Sequence, residues 1–252
     1  MPADPLWLEV NWPAPPHIRA LVTLRQGGFS FRDYSSFNLA THVGDDPQWV
    51  LANRQLLKDK ARIPAEPYWL TQIHGTEVVE ASPQPEALPP KADASIAFQA
   101  ATVCCVLTAD CLPLLITDIH GSRVAAIHAG WRGLAAGIIE KTIQSLESSA
   151  ETLLVWLGPA IGPVQFEVGE EVYRAFVDED GTAAVAFQLS TKPKTWLADI
   201  YRLAALRLQR LGVVKIYGGG YCTYSDRERF YSYRRDKTTG RMASLIWINE
   251  AL

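Results

Sequence analysis

The sequence predicts an α+β fold: a single layered domain over residues 1–252, with mixed β-sheets flanked by helices. Three observations carry this expectation. Segments 102–108 (TVCCVLT), 113–117 (PLLIT) and 123–128 (RVAAIH) are short apolar runs, as expected of strands covered on both faces. Leu134, Ile138, Ile143 and Leu146, and again Ile200, Leu203, Ala204, Leu208 and Leu211, form stripes near the 3.6-residue helical period. Strand and helix patterns mix without strict alternation, which disfavours a uniformly parallel α/β sheet.

Taken in order, IRALVTLR (18–25) reads as a strand. Asp46 and Pro47 form an N-cap and N1 pair, opening a helix through about Arg62, before Pro64. YWLTQI (68–73) reads as a strand that delivers His74 to its end, where Gly75 permits a sharp turn. Residues 82–90, with four prolines, form a surface loop. The three apolar strands follow, with ADC (109–111) between the first two and AGWRG after the third, leading into one helix to about Ser149. LLVWL (153–157) is a strand ending at GPAIGP. Helices are expected near 168–178 and at 196–211, the latter closed by Gly212 as C′ residue. Strands 213–217 and 244–248 complete the chain.

Composition narrows the class. Hydrophobic residues make up 48% and charged residues 20% of the 252 positions, an ordinary globular balance. A formal net charge of −3 offers no field for nucleic acid or an anionic membrane. No window approaches the roughly 20 apolar residues of a membrane span. The N-terminal MPADPLWLEVNWPAPP does not read as a signal peptide. Four cysteines, two of them adjacent (Cys104, Cys105), suit a reducing compartment, so a cytoplasmic location is expected.

The chain has five histidines, at 17, 42, 74, 120 and 128. His74 and His128 end predicted strands and Cys111 follows a third, where side chains reach clefts rather than core. Two imidazoles and a thiolate suit zinc, and three protein ligands leave a fourth position for water or substrate. Copper is the alternative metal. The competing readings are a buried thiol with internally bonded histidines, or Cys111 as a covalent nucleophile activated by a histidine. Asp110 would oppose thiolate formation in the latter. Five histidines are too few for the mononuclear and trinuclear sites of a four-copper oxidase.

Among other residues, Arg25 precedes Gln26-Gly27-Gly28, a flexible loop that could approach a ligand closely, and Arg132 opens a helix beside Gly130, where a helix N-terminus attracts anions. His42, in THVGDD, is either a helix-start residue or a substrate contact. Arg234 and Arg235 read as a solvated surface, His17 and His120 as solvent-facing, and Cys222 and Tyr224 as packing. Gly218-Gly219-Gly220 lacks the lysine and following helix of a phosphate loop.

At this point the chain resembles the YfiH-like family. The matching stretches are QIHG (72–75), TADCLPLLI (108–116), AAIHAGWRGLAAG (125–137), GPAIGP with FEVG (158–169), RQGGFS (25–30), FNLATHVGDD (37–46), CTYS (222–225) and FYSYRRDKTTGRMASLIW (230–247). The family has been described as multicopper polyphenol oxidase or laccase-domain proteins, as purine nucleoside phosphorylases and as peptidoglycan editing factors. The resemblance implies a metal site at His74, Cys111 and His128. It also implies phosphorolysis of adenosine, inosine, guanosine and methylthioadenosine, with adenosine deamination as a further activity. Arg25 and Arg132 are then nominated for phosphate, and Asn38 and His42 for ribose or phosphate. The expected partners are purine nucleosides and phosphate, with no nucleic acid or membrane and with a homodimer allowed. The alternatives are a cysteine-type hydrolase editing peptidoglycan precursors and a copper-dependent polyphenol oxidase.

Overall fold

Central strands buried at every position, with successive side chains on opposite faces, organise the molecule into four layers. The computed structural model describes residues 6–83 and 88–249, so part of the expected proline-rich loop lies outside the described residues. One sheet contains β1 (Trp7–Glu9), β2 (Ile18–Thr23), β13 (Met242–Ile248) and β5 (Val103–Thr108), all antiparallel, in the order β1-β2-β13-β5. A second runs β12 (Lys215–Gly218), β8 (Leu153–Leu157), β6 (Leu112–Asp118), β7 (Val124–Ala129), β4 (Ala94–Ala97), β3 (Val78–Glu80). Its outer pairs, β12 with β8 and β3 with β4, are parallel and the rest antiparallel. A small antiparallel sheet joins β10 (Phe187–Leu189), β11 (Thr195–Ala198) and β9 (Glu167–Gly169).

The period of two in β5 explains the layering. Cys104 and Val106 face the second sheet and pack with Leu115, Val124, Ala126 and Ile246. Val103, Cys105 and Leu107 face outward, with Leu57 of helix α1 (Pro47–Ala61) in the same apolar cluster. Leu112, Leu114, Ile116 and Ile127, on the far face of the second sheet, meet Ile138 and Ile139 of α3 (Ile138–Ser145) and Leu203 and Leu208 of α5 (Ile200–Arg210). Helix, sheet, sheet, helix is therefore the order of layers. The α+β class with mixed sheets and flanking helices is as expected.

Several boundaries differ for identifiable reasons. Asp46 caps α1 as predicted, accepting from the Gln48 N–H at 2.8 Å. The helix expected to run to Ser149 is broken into α2 (Trp131–Ala135) and α3, because Gly137 takes φ +93°. The helix placed at 196–211 starts at Ile200, where Asp199 caps it; the preceding residues form β11. Gly212 has φ +87° just past its end, as predicted. The helix placed at 168–178 is β9 followed by α4 (Glu170–Val177). Segment 68–73 is not a strand but an extended stretch held by isolated bridges, Tyr68 to Cys104 and Thr71 to Lys91. Gln72 replaces a ladder rung with its side chain, donating to the Leu107 carbonyl (2.8 Å) and accepting from the Leu107 N–H (2.7 Å).

Candidate metal centre

The centre is assembled around a buried carboxylate. The chain turns at Ile73–Gly75 and wraps Asp93, whose carboxylate accepts from the N–H groups of Ile73 (3.2 Å), His74 (2.9 Å) and Gly75 (2.7 Å). His74 takes φ +58° there, a conformation that His tolerates better than most non-glycine residues. The same carboxylate lies 2.8 Å from His128 Nδ1, and the His128 N–H donates to the Asp93 carbonyl at 2.7 Å. Burial would raise the Asp93 pKa, but the bonds from His128 and from the Gly75 and Ile73 N–H groups outweigh it and hold the acid below its usual range. One buried anion therefore aims two imidazoles.

Cys111 arrives from the turn between β5 and β6. Asp110 there adopts φ +99°, and the strain is over-determined. Its carboxylate accepts from Thr223 Oγ1 (2.6 Å) and the Arg234 N–H (2.6 Å), and its carbonyl accepts from the Ile161 N–H (2.9 Å). Both oxygens of the neighbouring acid are thus turned away into internal bonds. Burial alone would raise the Cys111 thiol, but the His128 charge and hydrogen bonds from His128 and His74 pull it down. Burial likewise would lower His128, and the Cys111 and Asp93 anions reverse that and raise it.

The ligand atoms of His74, Cys111 and His128 all lie within 4.8 Å of one another. The imidazole rings meet edge to face at 85°, with centroids 4.8 Å apart. Gly130 leaves the space between them open: a Cβ there would sit 3.1 Å from Cys111 Sγ, 3.2 Å from His74 Cδ2 and 3.6 Å from His128 Cε1. Two clefts meet at this point, sharing His74, Ala109, Cys111 and Tyr233. One, of about 410 Å³, is walled by His42, Gln72, Thr108 and Arg241. The other, of about 270 Å³, is walled by Trp131, Ile161, Phe166 and three cations, Arg132, Arg234 and Lys237.

The model of a family described as multi-copper polyphenol oxidoreductase laccase matches residues 19–249. Purine nucleoside phosphorylase PA4543 of Pseudomonas aeruginosa is 52% identical over 244 residues, covering 97% of this chain and 99% of its own. The chain belongs to the YfiH-like family. Purine nucleoside phosphorylase YfiH of Escherichia coli is 50% identical, with 94% of this chain and 97% of the relative covered. The crystal structure of Neisseria meningitidis protein NMB0706 superposes with a TM-score of 0.93 at 45% identity, covering 97% of this chain and 100% of that one.

Placed on the YfiH-like fold, the sequence candidates separate. His74, Cys111 and His128 come together as expected, and His42 and Arg132 line the clefts. Burial, and the charges of Arg241 and Arg54, lower the His42 pKa and favour its neutral form. Asn38 is not brought to the centre. It is fully buried, its amide donates to the Ala40 carbonyl and Asp45, and its oxygen accepts from the N–H groups of Ala40 and Arg241. Arg25 is also held elsewhere, donating to the Ser35 carbonyl, pairing with Asp236 at 3.7 Å and lying over the Tyr231 ring. Arg235, read as solvated, has a largely covered side chain that bonds the carbonyls of Thr223, Tyr224 and Phe230. His17 is half-buried, 3.1 Å from the Gly121 carbonyl, whereas His120 is exposed as expected. Asp93 and Arg241 were missed. An acid between alanines at the start of a buried strand (KADAS) was the available signal for Asp93.

Proposed function

We propose that this YfiH-like protein is a metal-dependent purine nucleoside phosphorylase acting on adenosine, inosine, guanosine and methylthioadenosine. Adenosine deamination is proposed as a second activity, and the cytoplasm as its location. The observation that carries the reading is the meeting of two imidazoles and a thiol within 4.8 Å, where two cation-bearing clefts join. The names of the relatives support the substrate class.

The donor set fits a metal of zinc's character, with copper as the alternative. Bond lengths of about 2.0–2.3 Å in a tetrahedral zinc site place ligand atoms roughly 3.5 Å apart, so these side chains would close by about an ångström. Asp93 supports the fit, since a ligating histidine characteristically donates its other ring nitrogen to a carboxylate. When bound, such an ion supplies Lewis-acid polarisation of a substrate oxygen or activation of water.

The chain's own residues account for the rest. In phosphorolysis a phosphate oxygen bonds to ribose C1′ as the C1′–N9 bond breaks, and the purine leaves with the electron pair and takes up a proton. The approach of a dianion requires cations that are not neutralised within the fold. Among the described residues, Arg132, Arg234, Lys237 and Arg241 form no ion pair. Deamination lacks an evident proton carrier. The chain has no H-x-E with P-C-x-x-C, and the Asp110 carboxylate is engaged internally. Incubation with inosine and phosphate, before and after chelation, tests the main reading. Chelator-sensitive formation of ribose 1-phosphate supports it, and formation that survives metal removal takes the metal out of the reaction.

A second reading rests on the Asp93–His128–Cys111 series. A carboxylate orients an imidazole beside a thiol whose pKa is lowered, the arrangement of a cysteine hydrolase. Its substrate would be an amino-acyl peptidoglycan precursor. A mass increase on Cys111 during turnover of such a precursor by metal-free protein would favour it. A copper-dependent polyphenol oxidase would have to work from this one three-residue centre, which holds only two of the five histidines.

A further inference from the structure

The two clefts differ in kind. In the larger one, Arg241 is pinned from behind. Its N–H donates to Asn38 Oδ1 (3.0 Å), and Nη1 donates to the carbonyls of Thr239 (2.8 Å) and Gly240 (3.0 Å). Nε and Nη2 have no hydrogen-bond partner, and no acid pairs with the guanidinium, among the described residues. Thr108, on the same wall, is almost fully buried, and its Oγ1 has no partner among the described residues. A buried hydroxyl without a partner calls for an explanation, and a ligand oxygen supplies one. His42 adds a third polar group, and no carboxylate lines this cleft.

The smaller cleft has aromatic walls covered by flat cations. The Arg132 guanidinium lies 4.4 Å from the Trp131 ring centroid and that of Arg234 lies 5.6 Å from Phe166. Ile161 and Ile200 complete an apolar surface. Purine rings stack on aromatic faces and on guanidinium planes alike.

We infer that the clefts divide the reactants, with inorganic phosphate held by Arg241, Thr108 and His42 on one side and the purine on Trp131 and Phe166 on the other. This rests on the phosphorylase reading. The division meets the stereochemical demand of the reaction. A nucleophile that displaces the base must reach C1′ from the face opposite N9, and two separate clefts that meet at Cys111 and His74 leave room for ribose between the two groups.

The test is initial-rate phosphorolysis by holoprotein, varying phosphate at saturating inosine and the reverse. Thr108→Val keeps the side-chain shape and removes the hydroxyl; Arg241→Gln removes the charge. Each is expected to raise the KM for phosphate about tenfold or more, as for loss of a hydrogen bond to a charged group, with the inosine KM within about twofold. Thr108→Ser should restore the phosphate KM, and Trp131→Ala should move the inosine KM instead. An unchanged phosphate KM in both first variants, or an increase confined to inosine, overturns the division. Should the wild-type protein form no ribose 1-phosphate, the phosphorylase reading fails. Calorimetric titration with inorganic phosphate alone then judges the subsite: binding by wild type that is lost in Arg241→Gln sustains it, and equal binding or none overturns it.

Discussion

Replacing Asp93 by asparagine removes one oxygen acceptor and puts an NH2 group in its place. The native carboxylate serves four donors: Ile73 N–H and Gly75 N–H on one oxygen, His74 N–H and His128 Nδ1 on the other. If the remaining oxygen keeps His74 and His128, the N–H groups of Ile73 and Gly75 face a donor. Both N–H groups are only partly buried, so each costs at most about 1–3 kcal/mol when unsatisfied, an upper bound of roughly 2–6 kcal/mol together. At about 2–4 °C per kcal/mol for a chain of this size, the melting temperature should fall by several degrees and by no more than roughly 20 °C. If the asparagine flips instead, His128 loses the acceptor that holds its ring, and metal affinity should fall about 10- to 100-fold. The assays are thermal unfolding of metal-free protein and competition for zinc against a chromophoric chelator. An Asp93→Asn protein that melts and binds zinc like wild type would refute the role assigned to this carboxylate.

Gly130→Ala should weaken zinc binding by at least about 100-fold while leaving all three ligands in place, since its methyl group would occupy the space between them; undiminished zinc binding by the chelator assay would count against a centre there. Burial pushes the Cys104 thiol up to about 12 and raises Cys105 as well, so neither should react with an aromatic disulfide reagent in native protein; Cys111 should react, and zinc should protect it, as mapped by mass spectrometry. Gly137→Ala forces a side chain into φ +93° at the α2–α3 break and should cost about 1–2 kcal/mol by denaturant unfolding, with the KM for inosine unchanged.

The candidate metal centre was legible because His74, Cys111 and His128 sit where apolar runs stop, and the ends of runs are visible in a linear sequence. Asp93 was not, because its work is done through backbone N–H groups 18 to 20 positions away, which no local pattern records. The four layers follow from the continuous apolar runs of β5 to β7, buried on both faces, yet short edge strands such as β3 and β9 leave no comparable run. Gly137 read as an ordinary residue within a helix until its positive φ split the element. Arg25 looked like a ligand contact because it adjoins a glycine-rich loop, and Asn38 was nominated only through the family resemblance. In the fold, Asn38 is an internal brace behind Arg241, and the cation that faces the cleft is Arg241 itself.

Elemental analysis of purified wild-type protein beside Cys111→Ala, with ribose 1-phosphate measured on the same samples, tests the central claim most directly. The account expects about one metal ion per wild-type chain, and loss of both metal and nucleoside cleavage in the variant. Full metal occupancy in Cys111→Ala, or cleavage at the wild-type rate without metal, would contradict it.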